Sequence, residues 1–368
     1  MVFIKERQKI KMIVHLFPKS QFTEEFVQFI NGHFNKQEHV FLVYTNKPFE
    51  LSERLYEQSN VIDMDKKELG DITKILQVSR MIIFHNLSVN FDLLFMFWIH
   101  RSWVKKSLWL VWGSDLYSYR IPKKKLMEHF VEYMKRGIIQ NLPIIATLAD
   151  GDYQLAKQWY GAKGNNVRLD YCEEYTINLL NKLKNSSCKE QNGINVLLGN
   201  SATVTNQHEE ALSYLKKFAG ENIRIITPLS YGDMEYGEKI ISLGKSLFGE
   251  KFIPLTNYMS RDEYYEILNS VDIALFNNDR QQATGNITAL LYLKKKVYLR
   301  ADTSMWDEWV NKEGYELHDI RDIEKETFST FCNCEISEIN QNEEIVNHFF
   351  NVESRKREWE TVFEGKWL

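Results

Sequence analysis

Short apolar runs recur along the chain, each followed by a segment whose apolar positions return with helical spacing. MIVHLF, VFLVYT, MIIFHN, LWLVWG and PIIATL lie before residue 150, and INVLLGN, IRIITPL, DIALFN and KVYLRA lie after residue 193. Continuously apolar strands separated by helix-length segments suit parallel sheets covered on both faces, because neither surface of such a strand meets water. The pattern predicts an α/β chain with two parallel sheets. Between the two sets, NKLKNSSCKEQNG is polar and ends in glycine, which is linker composition. The expected layout is a Rossmann-like domain over 1–180, a linker over 181–193, a second Rossmann-like domain over 194–342, and a helical segment over 343–368 that crosses back to the first domain. Phe349, Phe350, Trp359, Phe363 and Trp367 are its aromatic anchors. With 368 residues and 44% apolar content the chain can fill two cores, since single cores stop growing near roughly 250 to 300 residues.

The first residues, MVFIKERQKIKMIVHLF, run from charged to apolar as a signal peptide does, but the apolar part is short and lacks a small-residue cleavage site. Met12 to Phe17 reads as a first strand, followed by the helix-like TEEFVQFINGHF. Phe91 to Trp112 is the most membrane-like stretch, yet His100, Arg101, Lys105 and Lys106 break it below the roughly 20 apolar residues of a span. The aromatic and cationic stretch Phe91 to Lys106 and the basic segment Arg120 to Lys125 suggest peripheral contact with an anionic membrane face. A buried helix plus a surface loop is the competing reading.

Net charge alters the picture only by exclusion: at −4 there is no overall attraction to nucleic acid. Cys172, Cys188, Cys332 and Cys334 form no disulfide framework, which points to a reducing, cytoplasmic setting. Cys332-x-Cys334 lacks the further ligands that zinc requires.

The candidate chemistry lies at strand ends. Gly199-Asn200-Ser201 follows the strand INVLL and precedes an amphipathic helix capped by Thr205 or Asn206, an arrangement that can cradle an anion, with Gly199 allowing close approach of an oxygen. A second cradle runs from Asp279 to Asn286, where backbone amides of Thr284, Gly285 and Asn286 could hold a diphosphate and Arg280 or Gln282 could bind phosphate or sugar oxygens. Tyr231 and Tyr258 could flank a nucleobase, with Ser260 and Glu263 forming a capping box on the next helix. In the first half, His85-Asn86 and Gly113-Ser114-Asp115 end neighbouring runs. Asp115 is the candidate general base and His85 its alternative, with Asn86, Gly113 and Ser114 on the acceptor side. The neighbours of Asp63-x-Asp65 read as a strand exit or a charged surface rather than a metal loop, so no metal or other cofactor is expected.

At VWGSDLY, LLGNSATVTNQHEEAL and FNNDRQQATGNITALLYL the chain resembles the TDP-4-acetamido-4,6-dideoxygalactose (TDP-fucosamine) transferases of enterobacterial common antigen synthesis. The resemblance covers His85, Gly113, Ser114 and Asp115, then Gly199, Asn200, Ser201, Asn206, His208, Glu209, Arg280, Gln281, Gln282 and Gly285. Asn86 stands where that family is expected to have glycine, and Ala283-Thr284 replaces a more glycine-rich turn. It implies a GT-B glycosyltransferase, two Rossmann-like domains facing an interdomain cleft. It also implies transfer of an amino- or deoxyhexose from a dTDP- or UDP-sugar to a lipid-linked or surface-polysaccharide acceptor, at the cytoplasmic face of the inner membrane. The alternatives are a nucleotide-sugar epimerase on the same architecture and a non-catalytic nucleotide-sugar-binding protein.

Overall fold

The computed structural model describes residues 12–20, 22–46, 49–148, 150–171, 174–185 and 193–365, with backbone alone for His348 and Phe349. Cys172, Cys188, Trp367 and residues 186–192 of the expected linker lie outside the described residues.

Two all-parallel sheets carry the fold. The first joins β1 (Ile13–Pro18), β2 (His39–Tyr44), β3 (Val61–Asp63), β4 (Met81–His85), β5 (Ser107–Leu110), β6 (Ile144–Thr147) and β7 (Asn165–Arg168) in the order β3-β2-β1-β4-β5-β6-β7. The second joins β8 (Ile194–Leu198), β9 (Ile223–Pro228), β10 (Phe252–Leu255), β11 (Ile273–Phe276), β12 (Lys296–Leu299) and β13 (His318–Asp319) in the order β10-β9-β8-β11-β12-β13. Each sheet grows outward from its first strand on one side, then on the other. The strand order therefore reverses between β1 and β4 and between β8 and β11. The apolar runs become β1, β2, β4, β5, β6, β8, β9, β11 and β12. The weakly apolar β7 (NNVR) escapes that signal: it is held by its ladder to β6 and by Thr147 Oγ1 donating to Asn166 Oδ1 at 2.9 Å.

Helices of eight or more residues cover the sheets: α1 (Thr23–His33), α2 (Leu69–Val78), α3 (Phe91–Ile99), α4 (Leu126–Ile139), α5 (Asp150–Tyr160), α6 (Glu174–Lys184), α7 (His208–Leu215), α8 (Met234–Phe248), α9 (Arg261–Ser270), α10 (Thr284–Tyr292), α11 (Ile336–Phe349) and α12 (Val352–Glu364). Ser260 caps α9 as expected, its Oγ accepting from Glu263 N at 3.3 Å while Glu263 Oε2 accepts from Ser260 N at 2.8 Å. Before α7 the sequence expectation is corrected. Val204–Asn206 form a 3-10 turn, Gln207 is the N-cap at φ +48, and Asn206 is left for another task.

The chain divides into two compact units, residues 1–174 with 352–368, and residues 175–351. The expected boundaries move accordingly. Leu180 of α6 and Val346 of α11 are buried in the core around Phe276, Leu290 and Leu291, so both helices belong to the second unit. Phe350 packs there against Tyr292, ring centroids 4.8 Å apart. Only α12 returns to the first unit. Its Trp359 is buried 4.7 Å from the Phe26 ring and donates from Nε1 to Asp170 O at 2.9 Å, a burial that stabilises the unit by roughly 1.5 to 3 kcal/mol.

Candidate functional site

Open α/β sheets bind ligands at the carboxyl ends of the strands where the strand order reverses. In the second unit that place is marked by the turns leaving β8 and β11, Gly199-Asn200-Ser201 and Asn277 to Gln282. Gln282 joins them. Its Nε2 donates to Asn200 Oδ1 at 2.8 Å and to Ser201 Oγ and Thr203 Oγ1 at 3.2 Å, and its Oε1 accepts from Thr205 Oγ1 at 2.7 Å. Buried Asn206 fixes the first turn from behind, donating to Ser201 O at 3.0 Å and Thr203 Oγ1 at 2.8 Å and accepting from Asn200 N at 3.2 Å.

Gly199 has φ +68, and a Cβ there would lie 2.6 Å from His208 Nε2 and 2.9 Å from Asn206 Oδ1. The space expected to admit a ligand oxygen is therefore filled by His208 and Asn206. His208 is buried with Nδ1 3.2 Å from Tyr236 OH, and burial pulls its pKa down to about 4, so the ring is neutral. Among the described residues its Nε2 has no hydrogen-bond partner, and the same holds for Thr227 Oγ1, Asn278 Oδ1, Asp279 Oδ1 and Gln281 Oε1 at this edge of the sheet. Buried polar atoms are paired in the great majority of cases, so five orphans around one switch point call for an explanation.

Around them stand groups suited to a nucleotide. Tyr231, after β9, is 56% exposed, yet its hydroxyl is anchored by Asn200 Nδ2 at 3.0 Å and feels the Arg280 charge. Tyr258, after β10, is 78% exposed. Arg280 is half-buried and donates to Gln281 O at 2.9 Å. Helix α10 begins at Thr284 behind Ala283, which sits at φ +60 and has no side chain able to cap, and Gly285 in its first turn faces open space. A helix start of this kind directs amides and a positive dipole end at an anion. Asn286 turns the other way, its Nδ2 donating to Tyr264 OH at 2.8 Å, so its side chain ties α10 to α9.

Sequence reasoning missed the support beneath this edge. Glu210 Oε2 accepts from Asn277 Nδ2 at 2.8 Å and Arg300 Nη1 at 2.5 Å, and Oε1 accepts from Tyr214 OH at 2.8 Å. Burial pushes the Glu210 carboxyl up, and these bonds more than reverse that, leaving it below its ordinary range. The available signal was Asn277 and Arg300, each the first residue after an apolar strand.

In the first unit, His85-Asn86 and Gly113-Ser114-Asp115 end the adjacent strands β4 and β5. Asp115 is not a free base. It is buried, Oδ2 accepts from Leu87 N at 2.9 Å and Trp109 Nε1 at 2.7 Å, and Oδ1 accepts from Trp112 N at 3.0 Å and Leu116 N at 3.1 Å. Four donors occupy the carboxylate, which pins the two strand-end turns together. His85 is buried too, stacked on Phe17 with centroids 4.1 Å apart, and burial holds it far below its ordinary pKa. Both of its nitrogens are engaged, Nε2 with His15 Nδ1 at 2.9 Å and Nδ1 with Tyr171 OH at 2.7 Å. Asn86 adopts φ +88, a conformation natural to glycine and tolerated by asparagine, and Gly113 adopts φ +77 ahead of exposed Ser114. Asp63 and Asp65 both pair with Lys19 Nζ, at 3.0 and 2.8 Å. Among the described residues no group of three or more His, Cys, Asp or Glu side chains is set to hold a metal ion, and Cys332 and Cys334 are free thiols.

Residues 22–364 match the profile of the family described as 4-alpha-L-fucosyltransferase, glycosyl transferase group 56. The chain belongs to that family. Group 56 membership makes it a glycosyltransferase and replaces the epimerase and binding-protein alternatives. The group 56 chain shares its fold with a glycosyltransferase from Rickettsia africae at 12% identity, covering 96% of this chain and 98% of that one with a TM-score of 0.68. It is similarly related to Anabaena HepE, solved in complex with UDP and glucose, at 10% identity, 96% and 100% coverage and a TM-score of 0.67. The N-terminal domain of Candida albicans trehalose-6-phosphate phosphatase matches at 10% identity, 97% coverage of both chains and a TM-score of 0.65. At such identities the likeness is one of fold, and with two parallel-sheet units it is the GT-B fold.

Proposed function

We propose that this group 56 glycosyltransferase moves an amino- or deoxyhexose from a dTDP- or UDP-sugar to a lipid-linked or surface-polysaccharide acceptor in bacterial cell-envelope glycan synthesis, as the TDP-fucosamine transferases of enterobacterial common antigen do. The observation that carries the donor side is the set of orphaned acceptor atoms Thr227 Oγ1, Asn278 Oδ1, Asp279 Oδ1 and Gln281 Oε1, beside the uncapped start of α10. A nucleotide sugar supplies what they lack: hydroxyl or acetamido donors for the orphans, a diphosphate for the α10 amides and Arg280, and a base for the exposed rings of Tyr231 and Tyr258. The UDP complex of HepE supports a nucleotide donor. Negative charge that develops on the leaving diphosphate is met by fixed backbone dipoles and the guanidinium, so no metal is required on this reading.

The acceptor side rests on a surface of the first unit. Phe91, Phe95 and Ile99 on α3 and Leu126, Met127, Phe130 and Tyr133 on α4 are exposed on two helices that pack together, with Arg101, Lys105, Lys124 and Lys125 exposed nearby. Apolar side chains within a cationic rim suit an anionic lipid face. No helix among the described residues is long and apolar enough to cross a membrane.

A thermal-shift panel of UDP, dTDP, GDP and their hexose conjugates tests the donor side. A ligand at 100 times its Kd adds about 2.7 kcal/mol to the folded state. Stabilisation by UDP or dTDP, unchanged by EDTA, is expected, and no response to any nucleoside diphosphate would sink the proposal.

A further inference from the structure

The first unit contains a continuous line of side-chain hydrogen bonds that neither the donor site nor the membrane face uses. It runs from His39 Nδ1 to His15 Nε2 at 3.0 Å, from His15 Nδ1 to His85 Nε2 at 2.9 Å, and from His85 Nδ1 to Tyr171 OH at 2.7 Å, where Trp112 Nε1 donates to the same phenol oxygen at 2.9 Å. His39 opens β2, His15 lies within β1 and His85 closes β4, so the line crosses three adjacent strands from the amino edge of the sheet to its carboxyl edge at the β1–β4 switch point. The three imidazoles are buried, while Tyr171 is half-buried.

We propose that His39, His15, His85 and Tyr171 form a proton relay that removes the proton released by the acceptor hydroxyl during glycosyl transfer. The inference rests on the transferase reading above. Transfer breaks the acceptor O–H bond. Its electron pair forms the bond to the anomeric carbon, the sugar–phosphate pair leaves with the diphosphate, and one proton remains to be placed. Asp115, the carboxylate nearest in sequence to Trp112 at this edge, accepts four N–H donors and cannot take that proton without displacing one of them.

The relay follows from counting hydrogens. A neutral imidazole carries one N–H and one bare nitrogen. Two N···N contacts near 3 Å each need one hydrogen, and Trp112 can only donate, so all three histidines must hold the same tautomer. In one sense Tyr171 donates to His85 Nδ1 and every ring is protonated on Nε2. In the other every ring is protonated on Nδ1. Passage of one proton converts the first state into the second: the phenol oxygen receives the substrate proton as its own moves to His85 Nδ1, the Nε2 protons of His85 and His15 each advance one ring, and that of His39 passes to solvent water at the amino edge, where 3% of His39 stays exposed. Reverse movement with water at Tyr171 after product release resets the line. The rings are wedged in place, His15 stacked on Phe41 at 4.5 Å and His85 on Phe17 at 4.1 Å, so protons move while rings stay. The ionisable neighbours are Arg80 beside His39, and Asp170, Asp115 and Tyr44 about Tyr171, with Arg168 and Arg355 facing Asp170.

Nitrogen-15 histidine NMR of the full chain at neutral pH gives the first test. His15, His39 and His85 should be neutral and share one tautomer, whereas a mixed or cationic set overturns the relay. Nucleoside diphosphate release from dTDP- and UDP-hexoses, with an undecaprenyl-diphosphate-linked saccharide as acceptor, gives the second. His15→Phe keeps a ring but carries no proton, so kcat should fall roughly tenfold or more with donor KM unchanged and an altered solvent deuterium isotope effect. His15→Ala should regain turnover with added imidazole. Unchanged kcat and isotope effect in folded His15→Phe, or in His39→Phe if the former does not fold, overturns the relay. Wild-type chain that turns over no donor overturns the donor and acceptor proposed above instead, and the tautomers still decide the hydrogen-bonded line.

Discussion

Gln282 Nε2 meets Asn200 Oδ1 at 2.8 Å, and through this contact the turn after β11 is fastened to the turn after β8. Gln282→Leu removes the donor and leaves Asn200 Oδ1 and Thr205 Oγ1 without that partner. Loss of such a bond costs about 1 to 3 kcal/mol where the partner stays buried. We expect calorimetric affinity for UDP or dTDP to fall roughly tenfold or more, since 1.4 kcal/mol is tenfold. Unchanged affinity in a folded variant would separate this contact from the donor site.

Asp115→Asn distinguishes a structural carboxylate from a base. The amide retains one acceptor oxygen and turns an NH2 toward two of the four N–H donors that the carboxylate satisfies. Bonds to a charged group are worth about 1.5 to 3 kcal/mol each, so a loss of roughly 3 kcal/mol or more in the first unit is expected by denaturant titration. A base without a structural role would leave that transition in place and lower kcat alone.

Much of this architecture is legible in the apolar runs, because a strand buried on both faces has no choice but to be apolar. The strands that escape, β3, β7, β10 and β13, are the edge elements of the two sheets, with short or polar sequences whose ladder bonds come from the backbone of a neighbour. The turns after β8 and β11 were also legible, as small and polar residues between a strand and a helix. Their internal division of labour was not. Gly199 and Asn206 look like ligand groups in sequence, but their partners are His208 and the turn itself, a relation set by a tertiary contact. Asp115 misled for the same reason: a strand-end carboxylate reads as a base until its four backbone and indole donors are seen. His15 and His39 sit inside strands, where only the registry of β1 with β2 and β4 reveals that they touch.

Acid should destabilise both units. His15, His39 and His85 in the first and His208 in the second are neutral when folded, with burial pulling His39 to about 3 and His208 to about 4. Unfolded histidine titrates near about 6.5, so below that the unfolded chain binds more protons and stability rises with pH. The contribution is complete above about 6.5 and is lost as pH falls through the folded values, each group adding up to about 1.4 kcal/mol per pH unit in its window. Denaturant titrations between pH 8 and 4 should show stability falling below 6.5, with a shallower slope in His39→Phe. A flat profile from 6.5 to 4 would contradict neutral buried histidines.

Two glycines at the proposed donor edge should answer oppositely to alanine in stability. Gly199→Ala places a Cβ at φ +68, costing roughly 1 to 2 kcal/mol, and drives it to 2.6 Å from His208 Nε2. The second unit should lose stability and nucleotide binding together. Gly285 has open space at its Cβ position in the first turn of α10. Gly285→Ala should leave stability unchanged or raise it by up to about 1 kcal/mol, while weakening UDP or dTDP binding if the diphosphate approaches those amides. Unchanged UDP or dTDP binding in Gly285→Ala would argue against a diphosphate at α10.

The exposed face of α3 and α4 makes the last prediction. Leu126 is 90% exposed and Met127 lies beside it, ahead of Phe130 and Tyr133. Such side chains are unfavourable in water unless something covers them, and Lys124 and Lys125 select an anionic cover. Burial of a large apolar side chain in a lipid interface gains roughly 1.5 to 3 kcal/mol. Leu126→Glu with Met127→Glu should therefore reduce co-sedimentation with phosphatidylglycerol vesicles at least roughly tenfold, with thermal stability unchanged because neither side chain contributes to the core. Raised salt should weaken the wild-type association by screening the lysines while leaving its apolar part. Equal sedimentation of variant and wild type, or equal binding to phosphatidylcholine and phosphatidylglycerol vesicles, would remove the membrane from the proposed acceptor side and leave a polysaccharide in solution as the acceptor to test.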